Sequence, residues 1–417
     1  MERLKVLVSA YACEPNKGSE PGVGWNWVKQ IAKVHEVWVL TRTANRKVIE
    51  GELAQRPASS IHFVYHDLPR WARFWKRGAS GVHLYYYLWQ LSSLSIARRL
   101  QAEVNFDLCH HITFASYRYV SALAWLEPPF VWGPLGGGER APCAFYREFG
   151  LRGVASELVR DLSGLWAHVD PLLWYTRHRA ELILATTQDT ARLLGSRRSR
   201  PVHVLQTIGV EKSSGYGEAK PEGSIFRVLY VGNLLYLKGV TLALKAFAEF
   251  TRLFADTALT LVGDGPDRSR LERLAQSLGI LHRVNFVGRL SRVKTLEQYT
   301  DHHVLLYPSL HDSGAMAVLE AMRVGLPVIC LDLGGPALSV TQECGIKIAA
   351  VNPEQAVRGL AEALQRLASN PELRERMGRE AVSRVDTHYD WDRKGEALNH
   401  LYTSVLARLR ENVGLST

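Results

Sequence analysis

Apolar residues along this chain gather in short runs separated by stretches of helical period, the pattern of strands alternating with helices. In the first half, residues 4–10 (LKVLVSA), 36–42, 61–68, 106–109, 130–134, 181–187 and 202–209 read as strands, with helices at 25–34 and 150–179. A second series restarts at 226–231 (FRVLYV) and continues through 258–262, 284–287, 303–307, 328–331 and 345–351. Its helices fall at 240–250, 315–323 and 352–385. A final amphipathic helix starts at Tyr389-Asp390-Trp391 and reaches about Arg408. Strand, glycine-bearing loop, helix and strand, met twice, predicts an α/β fold of two Rossmann-like domains.

Length supports that division, because 417 residues exceed what one hydrophobic core holds together. The predicted first domain is 1–209, residues 210–224 form a linker rich in Gly, Ser, Glu and Lys, and 225–390 is the second domain. With 47% hydrophobic and 22% charged residues the composition is globular. No run of about 18 apolar residues is present, so no spanning helix is expected. The opening MERLKVLVSAYAC has a short apolar segment carrying Lys5 and reads as a first core strand rather than a leader. Five scattered cysteines without CxxC spacing fit reduced thiols in cytosol and give no zinc framework. A net charge of +10 calls for an acidic partner: nucleic acid, anionic lipid or phosphorylated substrate. The cations are dispersed and no base-reading module is visible, which sets nucleic acid aside.

The densest chemistry lies between Tyr307 and Pro336 (YPSLHDSGAMAVLEAMRVGLPVICLDLGGP). A buried strand ends at Pro308, the loop His311-Asp312-Ser313-Gly314 follows, and a helix opens at Ala315. Asp312 and Ser313 are able N-caps, and Gly314 permits close approach to the first-turn amides. Ser313, Gly314 and Ala315 then make an anion site, since free N–H groups and the positive helix end both favour phosphate. Glu320, two turns into the helix, cannot easily reach a phosphate but can accept both hydroxyls of a ribose. The stretch reads as a seat for a nucleoside diphosphate. The plain alternative is a strand-loop-helix-strand unit with an Asp cap and a surface Glu.

Other strand ends supply further candidates. Lys238, just before the helix at 240–250, can neutralise a diphosphate; Asn233 shares its loop, and Arg289 is a candidate second cation. Gly22 and Gly24 follow the first strand and either let the backbone approach a ligand or form a plain turn. A third glycine and an acid ending the second strand are both missing, which speaks against a dinucleotide fingerprint. His110 and His111 end the strand at 106–109, where a histidine meets a ligand crevice or is a satisfied core residue. Gly137, within Gly136-Gly137-Gly138, allows close approach, and Glu139 is a candidate partner for a donor or acceptor hydroxyl. Asp264 reads as a turn acid rather than a metal ligand, having no second carboxylate near it. The segment PRWARFWKR, residues 69–77, mixes aromatics with four cations and suits either a bilayer interface or an amphipathic helix packed on a sheet. Tyr85-Tyr86-Tyr87-Leu88-Trp89 reads as core or acceptor groove.

The whole chain resembles the retaining family 4 glycosyltransferases. The likeness is carried by SAYACEPNKGSEPGVGW, DLCHHITF, WGPLGGGE and HDSGAMAVLEAM followed by GLPVICLDLGGP. Two positions depart from the family pattern: Asp312 stands where the first acid of an acid-x7-acid signature is usually Glu, and Asn233 replaces an arginine. The resemblance implies a GT-B fold, two Rossmann-like domains facing a central cleft, with the terminal helix (391–417) crossing back onto the first. It implies a nucleotide-sugar donor (UDP- or GDP-sugar) in the second domain and an acceptor in the first, without cofactor or metal. Lys238 and the amides of Ser313, Gly314 and Ala315 would stabilise the leaving diphosphate, Glu320 would fix the ribose and Asp312 the sugar hydroxyls. His110, or failing that His111, would contact the transferred sugar. Gly22, Gly24, Asn233 and Arg289 are the remaining donor-side candidates; His111, Gly137 and Glu139 are the acceptor-side ones. The expected acceptor is a lipid-linked oligosaccharide of bacterial cell-surface polysaccharide assembly, met in the cytoplasm or on the inner face of an anionic membrane. The alternatives are a soluble transferase acting on a small sugar or metabolite, and a nucleotide-sugar-binding protein without turnover.

Overall fold

The computed structural model describes residues 3–76, 81–195, 202–211 and 224–414. Among the described residues, thirteen strands form two sheets of parallel strands. The first contains β1 (Lys5–Ser9), β2 (Glu36–Arg42), β3 (Ile61–His66), β4 (Leu108–His111), β5 (Phe130–Leu135), β6 (Ala180–Ala185) and β7 (Val202–Val204), in the order β3-β2-β1-β4-β5-β6-β7. The second contains β8 (Phe226–Val231), β9 (Thr257–Val262), β10 (Val284–Gly288), β11 (Val304–Tyr307), β12 (Val328–Leu331) and β13 (Gly345–Ile348), in the order β10-β9-β8-β11-β12-β13. β5, β6, β11 and β12 are buried at every position. Parallel strands crossed over by helices have no solvent face, which is why they read as unbroken apolar runs.

Strand order reverses once in each sheet. β1 pairs with β2 on one side and β4 on the other, and β8 pairs with β9 and β11. Loops leaving strands at such a reversal diverge to opposite faces and leave a crevice at the carboxyl ends. The loops after β1 and β4, and those after β8 and β11, are therefore the places to look for a ligand.

The chain divides into two compact units: 1–138, 161–207 and 391–417 in one, and 139–160 with 208–390 in the other. Residues 139–160, expected in the first domain, thus pack with the second. The cause is a set of specific contacts. The Lys245 ammonium reaches both oxygens of Glu148 at 2.9 and 2.8 Å, Arg270 donates to the Glu148 carbonyl at 3.1 Å, and Phe149 and Tyr236 lie 5.0 Å apart. Most of the expected linker at 210–224 lies outside the described residues. The last helix, Trp391–Gly414, packs within the first unit, with Trp391 edge-on to Trp27 at 5.5 Å and Asn399 hydrogen-bonded to His35 at 2.8 Å.

Several helix limits differ from the sequence expectation. The first helix spans Ser19–Ala32, six residues earlier at its start, so Gly22 and Gly24 lie inside it. The helical stretch 150–179 is two helices, Gly150–Val169 and Pro171–Arg179, because Asp170 caps the second and Pro171 cannot continue the first. Asn370 and Pro371 split the stretch 352–385 in the same way. Of the 69–77 segment, Arg77 lies outside the described residues, and 69–76 form no helix beyond a single turn at Arg70–Ala72. Trp75 and Lys76 pack on Tyr85, whereas Trp71 and Phe74 are each 79% exposed. Tyr85, Tyr86 and Trp89 are core residues around Tyr11. No described helix is long and apolar enough to cross a membrane.

Candidate functional site

In the second unit, the loops after β8 and β11 meet at one point. Gly239 ends the turn Tyr236–Lys238 in a left-handed conformation (φ 66°), and a Cβ there would stand 1.8 Å from the Pro308 carbonyl oxygen. Only glycine permits that approach, and it brings Lys238 against the loop after β11. The Lys238 ammonium donates to Asp312 Oδ2, which also accepts the Tyr307 hydroxyl at 2.6 Å. Asp312 Oδ1 accepts the amides of Gly314 (3.1 Å) and Ala315 (2.9 Å). Burial alone would raise the Asp312 carboxyl; the Lys238 charge and hydrogen bond, with the Tyr307 hydroxyl, hold it below the ordinary carboxylate value instead. Tyr307 is raised well above its usual value, by burial first and the Asp312 charge second, so it stays a donor.

This geometry corrects the expected anion site. Two of its amides, those of Gly314 and Ala315, are already taken by Asp312. The helix starts at Met316 rather than Ala315, which adopts a left-handed φ of 50° under the grip of that carboxylate. Glu320 accordingly stands little more than one turn into the helix, not two. The absence of a side chain at Gly314 is used by the protein itself, since a Cβ would lie 2.4 Å from Ile208 Cδ1.

Glu320 is buried yet held open at both oxygens. Oε1 accepts Arg292 Nη1 at 2.6 Å and Oε2 accepts the Tyr299 hydroxyl at 3.0 Å. A carboxylate has about four lone-pair positions, so capacity remains for two ligand hydroxyls. Burial and the Glu320 charge push Tyr299 well above its ordinary value, which fixes it as the donor. Arg292 and Tyr299 were not foreseen. Arg289, the expected cation, is exposed three residues before Arg292, and Asn233 is exposed beyond β8, its carbonyl accepting the Tyr230 hydroxyl at 3.1 Å. Among the described residues, no group of three or more His, Cys, Asp or Glu could hold a metal ion. Asp264 Oδ1 accepts the Gly265 amide at 2.8 Å, as a turn acid does.

In the first unit, β4 runs two residues further than expected, so His110 and His111 lie within it and point to opposite faces. His110 is fully buried. Its Nε2 lies 2.7 Å from the Gly133 carbonyl, which can only accept, and Nδ1 lies 2.6 Å from the Tyr402 hydroxyl. Both nitrogens are satisfied within the core, so in this conformation each already has a partner other than the sugar that the resemblance assigns to His110. His111 is buried on the other face, Nε2 3.0 Å from the Tyr86 hydroxyl. Burial takes both imidazoles down to about 3, and both are neutral near pH 7.

The expected role of Gly22 and Gly24 is likewise corrected. A Cβ on Gly22 would stand 1.9 Å from the Lys17 carbonyl oxygen, and one on Gly24 would stand 2.1 Å from that of Ala12 and 2.6 Å from Thr113 Cγ2. Their missing side chains serve the packing of the first helix on the loops after β1 and β4. The same stitching uses the Ala12 amide on Thr113 Oγ1 (3.1 Å) and the Phe114 amide on Glu20. Gly137 keeps its place in a strand-end loop, with a φ of 93° and its carbonyl accepting Arg118 at 3.0 Å. Glu139 belongs to the second unit and is buried, its Cγ 3.5 Å from where a Cβ on Gly334 would stand. The Gly335 amide donates to the Asp312 carbonyl at 2.8 Å, so Glu139 adjoins the Asp312 loop.

Two doubly wound parallel sheets, with an acid-bearing loop at the strand reversal of the second, define the architecture of the GT-B glycosyltransferases. Solved structures agree over nearly the whole chain. The lipopolysaccharide outer core galactosyltransferase WaaB superposes with a TM-score of 0.66 at 18% identity, covering 96% of this chain and all of that one. HepE of Anabaena, solved with UDP and glucose, gives a TM-score of 0.60 at 15% identity, covering 96% and 100%. Residues 218–384, within the second unit, match the family model of the glycosyl transferases group 1. A curated relative, alpha-D-kanosaminyltransferase of Streptomyces kanamyceticus, is 31% identical over 178 residues, 43% of this chain and 45% of its own length. The match spans somewhat less than half of such relatives.

Proposed function

We propose that this protein is a retaining glycosyltransferase that moves a sugar from a nucleotide donor to an acceptor hydroxyl. The observation that carries the reading is the half-buried Asp312 carboxylate held between Lys238, Tyr307 and two amides, with Glu320 on the helix that follows. Lys238 meets the negative charge that grows on the departing diphosphate, and Glu320 takes the ribose hydroxyls. The acceptor oxygen bonds to the anomeric carbon on the face from which the phosphate oxygen leaves. The bond between the anomeric carbon and that phosphate oxygen breaks, and the departing oxygen takes the acceptor's proton. We assign the donor to the UDP- or GDP-sugars, a reading supported by the UDP and glucose in the HepE structure. A divalent ion has no part in it, and transfer persists in EDTA.

For the acceptor we propose a lipid-linked oligosaccharide on the cytoplasmic face of a membrane, in keeping with the net charge of +10 and with the WaaB likeness. The test is thermal stabilisation by UDP, GDP and ADP and by their sugar conjugates, since a ligand that binds only the folded form raises the melting point. One nucleotide family should stabilise strongly and its sugar conjugate should turn over. Stabilisation without hydrolysis or transfer would identify a binding protein instead, and no stabilisation at all would remove the nucleotide site.

A further inference from the structure

An amphipathic helix on a globular protein turns its apolar stripe inward. The helix Gly150–Val169 does the reverse along its outer side. Leu162, Leu165, Trp166 and Val169 are 64, 65, 70 and 70% exposed, and they follow one another at helical spacing. Upstream on the same helix Leu158 and Val159 are also exposed. The helix after the Asp170 cap adds Trp174, 58% exposed, with His178 stacked on it at 3.9 Å.

The ionisable groups are sorted the opposite way. None of the three acids between Gly150 and Arg179 is exposed: Glu157 and Asp170 are buried and Asp161 is half-buried. Glu157 is engaged by Arg160 and by the Tyr236 hydroxyl (3.1 Å), and Asp170 caps the following helix. What the two helices show to solvent is leucine, valine, tyrosine and tryptophan with small polar residues, Arg152 and His168 on the first and His178 on the second; Arg177 and Arg179 are half-buried and donate to the Leu194, Leu126 and Glu127 carbonyls.

We infer that this stripe is a docking surface for an anionic lipid bilayer. A fluid bilayer requires no shape complementarity, only apolar side chains to enter it, cations to meet its phosphates and no exposed acid to be repelled. Tryptophan is the residue best suited to the headgroup level, with an apolar body and a polar edge. No described helix crosses a membrane, so the mode is a helix lying in the interface. The inference concerns binding and not turnover. It shares with the transferase reading only the lipid-borne acceptor, and either can fail while the other stands.

The test is sedimentation of the full chain with vesicles of equal parts phosphatidylcholine and phosphatidylglycerol at low salt, against vesicles of phosphatidylcholine alone. The wild type binds the anionic vesicles, and the pair Leu162→Glu and Trp166→Glu weakens binding by roughly tenfold or more, because charges are expelled from the acyl boundary. Stabilisation by nucleotide stays unchanged in the pair. Vesicles also slow amide exchange in 158–169 of the wild type, a readout that needs no variant. Absence of binding by the wild type, equal binding by the pair, or no protection in that segment each overturns the proposal. So does light scattering that shows a wild-type dimer broken by the same pair with vesicle affinity unaltered, which would give the stripe to a second copy.

Discussion

Lys238 and Asp312 are 74 positions apart in sequence, yet their side chains form one ion pair where the loops after β8 and β11 converge. Each is the other's counter-charge, so each holds the other in place while no diphosphate is bound. A diphosphate that takes the Lys238 ammonium must leave Asp312 supported by Tyr307 and the Gly314 and Ala315 amides, all of which donate to it already.

Removing one partner of such a pair leaves a buried charge uncompensated, which costs about 3–5 kcal/mol in fully buried cases. With three other donors on Asp312, Lys238→Met should sit near the lower end, about 3 kcal/mol. The double variant Lys238→Met with Asp312→Asn should recover a good part of that loss and none of the transfer activity. Urea unfolding of the three variants measures the coupling. If the double variant were as unstable as the sum of the singles, the pair would not be a unit.

Glu320→Gln keeps the shape of the side chain and one acceptor oxygen. Hydrogen bonds to a charged acceptor contribute about 1.5–3 kcal/mol, or roughly 10- to 150-fold in affinity. Titration of the matching nucleotide should weaken by that order with little change in melting point. Glu320→Ala should weaken it similarly but also lower stability by about 1–3 kcal/mol, because the buried Tyr299 hydroxyl then has no acceptor. Equal nucleotide affinity in wild type and Glu320→Gln would take the ribose away from this residue.

Much of this was legible before any coordinates. The limits of β2, β8 and β12 are those read from the apolar runs, because each strand carries buried apolar residues on both faces. Lys238 and Asp312 could be found as polar residues just past strand ends. Arg292 and Tyr299 could not, since they reach Glu320 from 28 and 21 positions away and nothing local in their helix points to it. The burial of His110 was not legible, for a physical reason. A strand two residues longer than its apolar run turns adjacent side chains to opposite faces, and both histidines are core, His110 held by Tyr402 of the last helix and His111 by Tyr86. Glycines were the least legible. Gly22, Gly24 and Gly314 look alike as invitations to a ligand, but each is filled by a neighbouring part of the protein.

The two neutral histidines make stability depend on pH. Their folded values, about 3, lie below the ordinary 6.5, so between those limits the unfolded chain holds protons that the folded chain does not. Stability therefore falls as pH drops from 6.5 toward 3 and is constant above that window as far as these groups decide. His303, lowered to about 4 by burial first and then by Arg374, pulls the same way. His111→Gln should remove one such proton and flatten the dependence by up to about 1.4 kcal/mol per pH unit. Urea melts from pH 7.5 to 4.5 compare the slopes. Parallel slopes would mean that His111 titrates normally in the folded protein.

Gly239 offers the sharpest separation of backbone strain from crowding. Both Gly239 (φ 66°) and Gly279 (φ 72°) are left-handed, but a Cβ on Gly279 meets nothing within 4 Å, whereas one on Gly239 stands 1.8 Å from the Pro308 carbonyl oxygen. Gly279→Ala should therefore cost only the conformational preference, roughly 1–2 kcal/mol. Gly239→Ala must in addition push the loops after β8 and β11 apart, carrying Lys238 away from Asp312. Its loss of stability should clearly exceed that of Gly279→Ala, and nucleotide affinity should fall in Gly239→Ala alone. Equal losses of stability with nucleotide affinity intact in both would show that the two loops can separate without cost, and that the Lys238–Asp312 contact does not depend on the glycine that now brings it about.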